Sequence, residues 1–128
     1  MKPTTREWVK KAENDFKVAS QIVRRRKDLV ADAACFFCQQ CVEKYLKARL
    51  TESGLAFPRT HDLLHLLNLC PPAEPLWSAY SKVVDQLADY AVNFRYPGQS
   101  ASRREARVAM KHCRSLRSEL RRSLGLRV

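Results

Sequence analysis

Between Trp8 and Val23 the apolar residues Trp8, Ala12, Ala19, Ile22 and Val23 recur at helical spacing, and Thr4 or Thr5 stands ready as a cap. The pattern predicts a first helix from about Thr5 to Arg26. Asp15 falls near the centre of its apolar face, where a carboxylate is costly unless a cation or a hydrogen-bond donor meets it. A second, nearly breaker-free helix is predicted from about Asp28 or Val30 to Ser53, with Gly54 as its terminator. Ala34, Cys38, Cys41, Val42, Tyr45, Leu46 and Arg49 cover one broad side of it, while Gln39, Gln40, Glu43, Lys44 and Lys47 gather on the other. Two different faces imply two different neighbours, so this is the central helix.

Phe57-Pro58-Arg59-Thr60 reads as a connector, with Thr60 capping a short leucine-rich helix from His61 to about Leu69 that stops at Pro71-Pro72. Leu76, Tyr80, Val83, Val84, Leu87, Ala91 and Phe94 trace the apolar side of a fourth helix, which must end near Arg95-Tyr96-Pro97-Gly98. In a last helix, from about Ser102 to Ser123, Ala106, Ala109, Met110, Cys113, Leu116, Leu120 and Leu124 share one side. No segment sustains period-two alternation. The expected fold is all-α, an antiparallel four- to five-helix up-and-down bundle forming a single domain over residues 1–128.

Charge sharpens this picture. Lys and Arg total 24 against 13 Asp and Glu, a formal charge of +11, which attracts polyanions and nucleic acid above all. The excess is ordered, since Arg103, Arg107, Lys111, Arg114 and Arg121 line one side of the last helix. Arginine forks match phosphate oxygens, and Glu105 and Glu119, the only acids of that helix, are badly spaced to neutralise the stripe. Arg24-Arg25-Arg26-Lys27 can extend it. With no apolar run of membrane-spanning length and no apolar leader at the N-terminus, a cytoplasmic protein is expected. The odd count of five cysteines fits a reducing compartment.

Metal chemistry finds little support. Cys35-x-x-Cys38-x-x-Cys41 lies on the apolar side of the central helix beside Phe36 and Phe37, where cysteine acts as a small hydrophobe. His61 and His65 have ligand spacing, but Asp62 stands where the metalloprotease pattern requires glutamate. No metal and no cofactor are expected. For RNA cleavage, arginine and histidine in concert are the available actors, as Arg59 with His65 or Arg107 with His112.

Trp8-x-x-Lys11-Ala12-Glu13-x-Asp15, the run from Cys35 to Ala48, Thr60-His61-x-Leu63-Leu64 and Tyr90-x-x-x-x-Arg95-Tyr96-Pro97 together resemble the HEPN (higher eukaryotes and prokaryotes nucleotide-binding) family. The resemblance is to its stand-alone prokaryotic branch, whose members are often encoded beside a minimal nucleotidyltransferase in toxin–antitoxin-like pairs. It implies a homodimeric bundle with a polar cleft. Asp15 would pair there with Arg95, or else with Lys44. Gln39, Gln40, Glu43, Lys47, His61, Tyr90 and Tyr96 would face the same space, and nucleotide or RNA would be the ligand. The family's ribonucleases use an arginine closely followed by a histidine at the start of the last long helix. Arg95 matches the arginine, but Ser100, Ala101 and Ser102 occupy the histidine window, and Phe37 stands where many relatives carry histidine. The expected protein therefore has no catalytic residues, with a metal-independent endoribonuclease toxin as the alternative.

Overall fold

A computed structural model describes residues 1–27 and 29–128. Among them it contains α1 (Pro3–Val23), α2 (Ala31–Glu52), α3 (Leu63–Asn68), α4 (Ser81–Asn93) and α5 (Arg103–Ser123), with a 3-10 helix over Pro75–Tyr80 and no strand. No helix among the described residues is long and apolar enough to cross a membrane.

Several boundaries differ from the expected ones for local reasons. α1 begins at Pro3, whose fixed φ and missing N–H suit a first helical turn. Thr5 is therefore inside the helix, and its hydroxyl donates to Glu52 Oε1 at 2.9 Å. The helix ends at Val23, short of Arg26, and beyond it the Arg25 and Arg26 carbonyls accept from the Arg103 guanidinium, each at 3.1 Å. α2 closes as a glycine-terminated helix: Gly54 has φ +68° and the Leu55 N–H returns to the Leu50 carbonyl at 2.9 Å. Its alternative start at Asp28 lies outside the described residues.

The predicted His61–Leu69 helix is shorter, since Asp62 and not Thr60 caps it, accepting from the His65 N–H at 3.1 Å. Thr60 Oγ1 instead accepts from the Asp62 N–H, also at 3.1 Å, and this leaves His61 outside the helix. The predicted fourth helix is divided into the 3-10 helix, opened by Pro75, and α4; Leu76, expected on the apolar side, is 84% exposed. At α5 the expected Ser102 start holds, as Ser102 and Glu105 exchange side-chain-to-backbone hydrogen bonds at 2.9 and 3.0 Å.

α2 packs most extensively against α1 and α5. Ala12 and Ala19 of α1 and Ala34 and Ala48 of α2 are wholly buried, and such small side chains let helices approach closely. Contacts joining the start of α1 to the end of α2, and Arg25 to Arg103, make α1 antiparallel to both α2 and α5. α4 opposes α5 in the same way, through Gln86 with His112 and Trp77 with Glu119. α2 and α5 consequently run parallel, as Cys38 meets Met110 and Arg49 meets Ser123. The fold is an up-and-down bundle with these two across its short diagonal. Val42 and Leu46 meet Leu116 and Leu120 of α5 and Leu67, Trp77 and Val84, within a core that also holds Tyr45, Leu63, Leu66 and Leu87. All five cysteines are free and buried.

Candidate functional site

Burying α2 on all sides forces its polar residues to satisfy one another. Glu43, 2% exposed, receives Gln39 Nε2 at 3.2 Å and Lys47 Nζ at 3.1 Å. His61 Nδ1 lies 3.0 and 3.2 Å from its two carboxylate oxygens. Gln39 Nε2 also reaches the His61 carbonyl at 3.2 Å, and Gln40 donates to Gln39 Oε1 at 2.7 Å. The result is a closed network in which an internal carboxylate is neutralised by Lys47 and fixes the imidazole. The His61 side chain is 80% exposed, so with Nδ1 held by Glu43 its Nε2 faces outward.

Asp15 is buried in the α1–α2 seam and bonded to Lys44 Nζ at 2.5 Å. The favoured expectation of Arg95 as its partner is corrected. Arg95 lies beyond the end of α4 with its guanidinium over the Phe36 ring, 5.1 Å from the centroid, near the start of α2. The single expected cleft is thus two places. Asp15 and Lys44 close a seam, whereas Gln39, His61 and Arg95 line a groove of about 390 Å³ with Asp62, Asp85 and Asp89. Tyr90 packs on Phe94 with its hydroxyl accepting from Gln86 at 3.0 Å, and Tyr96 is 66% exposed.

A second network joins α1, α2 and α5, and periodicity did not reveal it. Arg117 Nε and Nη2 donate to the two oxygens of Glu13 at 2.7 and 2.6 Å, while its guanidinium lies 4.2 Å from the Phe16 centroid. Tyr45 donates its hydroxyl to Glu13 at 2.5 Å and accepts from Arg121 Nη1 at 2.9 Å. Burial raises the Glu13 carboxyl pKa, but the hydrogen bonds from Arg117 and Tyr45 and the charges of Arg117 and Arg121 outweigh it and hold the group below its ordinary value. The Tyr45 phenol is pushed up, first by burial and then by its bond to Glu13.

The basic stripe divides accordingly. Arg121, expected on the open stripe, is instead held inward by Tyr45 and by Glu13 at 3.5 Å. Arg103 is tied to the Arg25 and Arg26 carbonyls, which brings that arginine run beside the start of α5. Arg107, Lys111 and Arg114 are exposed, and no described residue bonds to their side chains. Neither alternative Arg–His pair assembles. His112 turns to Gln86 at 2.9 Å while Arg107 faces solvent, and Arg59 shares its groove with His61 and not His65. Among the described residues no group of three or more His, Cys, Asp or Glu is placed to hold a metal ion.

The HEPN domain family matches residues 5–123 of the chain. No curated protein matches it. Among solved structures, TT1696 from Thermus thermophilus is similar at a TM-score of 0.78 and 23% identity, over 93% of this chain and 97% of that one. At that identity the likeness concerns the fold.

Proposed function

The chain belongs to the HEPN family, and we propose that it is a non-catalytic member that binds RNA or nucleotide phosphate on the outer face of α5. The observation that carries this reading is the contrast along one helix: Arg117 and Arg121 are consumed by Glu13 and Tyr45, whereas Arg107, Lys111 and Arg114 are left to solvent. Unpaired cations on a rigid helix offer phosphates a site without first breaking internal bonds. Family membership further supports a homodimer working beside a minimal nucleotidyltransferase, and exposed Val92 and Tyr96 near Arg95 give apolar surface for such contacts.

Salt dependence is the test. If Arg107, Lys111 and Arg114, together with Arg104, which is likewise exposed on α5, each meet one phosphate of a single strand, log K falls with log salt at a slope of about −2.8, or roughly 50-fold from 50 to 200 mM. Changing Arg107 and Arg114 to Ala halves that slope to about −1.4. A salt-independent affinity refutes the proposal.

Endonucleolytic cleavage is the second reading, and one observation favours it: Arg95 and His61 line the same groove, with His61 oriented by a buried carboxylate. The first reading expects no cleavage of structured or single-stranded RNA by the purified protein in chelator. Cleavage abolished by His61→Ala in a folded variant establishes the second.

A further inference from the structure

A groove of about 460 Å³ opens where the start of α1 faces the connector before α3. We infer that it is a nucleotide pocket in which Trp8 and Phe57 hold the base and Arg59 with His61 meets the phosphate. The two rings stand in an edge arrangement, centroids 6.5 Å apart and planes inclined by 61°, and both are only partly buried. Pro58 adds a rigid apolar wall and keeps the connector extended. Lys47 forms part of the floor, its ammonium 5.3 Å from the Trp8 centroid, but Glu43 already neutralises it. The floor is therefore aromatic and uncharged in sum, which suits a base stacked on one ring and not an anion.

Anion chemistry is confined to the mouth. Arg59 is exposed and no described residue bonds to its side chain, while His61 presents Nε2. An aromatic floor with the Arg59 cation at one rim fits a π-system carrying a phosphate, and the volume lies in the range of small-ligand pockets. The groove is on the flank of α1 that meets α2 and the connector, whereas Glu13 and Phe16 on the other flank meet α5. It stands or falls apart from the α5 arginines.

The chemistry is shared by a free nucleoside monophosphate and by the phosphorylated end of an RNA strand. The test titrates AMP, ribose 5-phosphate and a 5′-phosphorylated oligoribonucleotide into the full chain, reading tryptophan fluorescence. Trp77 is 3% exposed, so quenching reports Trp8. AMP should bind with a dissociation constant of about 1 mM or tighter. Phe57→Leu, which keeps an apolar side chain for packing, should weaken AMP about 5- to 150-fold by removing the stacking ring. Arg59→Ala, at an exposed position, should weaken it about 10-fold. Losses shared by AMP and the oligonucleotide assign the pocket to a strand end, and a loss for AMP alone assigns it to the free nucleotide. The proposal is overturned if AMP does not bind, if ribose 5-phosphate binds as tightly as AMP, or if neither variant changes the AMP affinity. AMP binding is read at Trp8 and the α5 face by the salt slope of RNA binding, so failure of the one is distinguishable from failure of the other.

Discussion

Replacing Arg117 by alanine should unfold the bundle more easily without weakening its hold on RNA phosphate. Arg117 is 18% exposed and Glu13 31%, and two charge-assisted hydrogen bonds at 2.7 and 2.6 Å join them. Bonds of that kind contribute about 1.5–3 kcal/mol, and the contact with Phe16 adds about 0.5–2 kcal/mol. The loss is partly offset because Glu13 retains Tyr45 and Arg121 and regains some hydration. A net cost of about 2–3 kcal/mol is expected, below the figure for a fully buried broken pair. For 128 residues the unfolding entropy near the midpoint is about 0.27 kcal/mol/K, so Tm should fall by roughly 7–11 °C.

Urea unfolding followed by circular dichroism measures the cost, and the Glu13→Ala, Arg117→Ala cycle isolates the pair, which should couple by about 1 kcal/mol or more. Arg114→Ala is the counterpart, expected to leave stability within about 0.5 kcal/mol while lowering the RNA salt slope. A loss under about 1 kcal/mol in Arg117→Ala, or a salt slope reduced as much as in Arg114→Ala, would refute the division of the arginines into structural and ligand-facing sets.

Glu13, Glu52 and Glu119 all have lowered pKa values in the folded chain, so their stabilising contribution is complete above the ordinary value of 4.5. Tm should hold steady down to that pH and decline as acid carries them through their folded values, less steeply in Glu13→Gln. Arg103→Ala should free the Arg25–Arg26 turn, seen as faster amide exchange at the end of α1, with a stability loss under about 1 kcal/mol. Native protein at pH 8 should resist iodoacetamide at all five thiols, since burial excludes the reagent and pushes Cys35 and Cys70 up to about 12; labelling within minutes would contradict the packing.

Periodicity made the bundle legible because every long helix carries a continuous apolar side, and α2 announced itself as central by carrying two faces that call for different neighbours. The errors cluster where local chemistry competes with period. Leu76 continues the α4 pattern on paper, yet Pro75 opens a tighter 3-10 turn whose different residue spacing throws that side chain into solvent. Thr60 and Asp62 are both capping types, and only the backbone geometry decides that Asp62 caps α3. That choice matters for function, because it is what leaves His61 outside the helix and within reach of Glu43.

Pairing is harder to read than sidedness. Asp15 was recognisable as a buried acid in need of a cation, but the sequence favoured Arg95 over Lys44, and only the helices laid side by side reverse that order. The same limit governs the arginines. Arg103, Arg114 and Arg121 fall on nearly one line of α5 at 100° per residue, so periodicity assigns them one environment. What separates them is the element across from each: backbone carbonyls for Arg103, open solvent for Arg114, and a phenol and a carboxylate for Arg121. Glu13 was visible in the sequence as one acid on α1, and nothing in its own helix says that Arg117 and Arg121 converge on it. A charge of +11 therefore overstates the phosphate-facing surface: part of it is spent holding α1, α2 and α5 together, and the remainder, centred on Arg107, Lys111 and Arg114, is the part that salt should reveal.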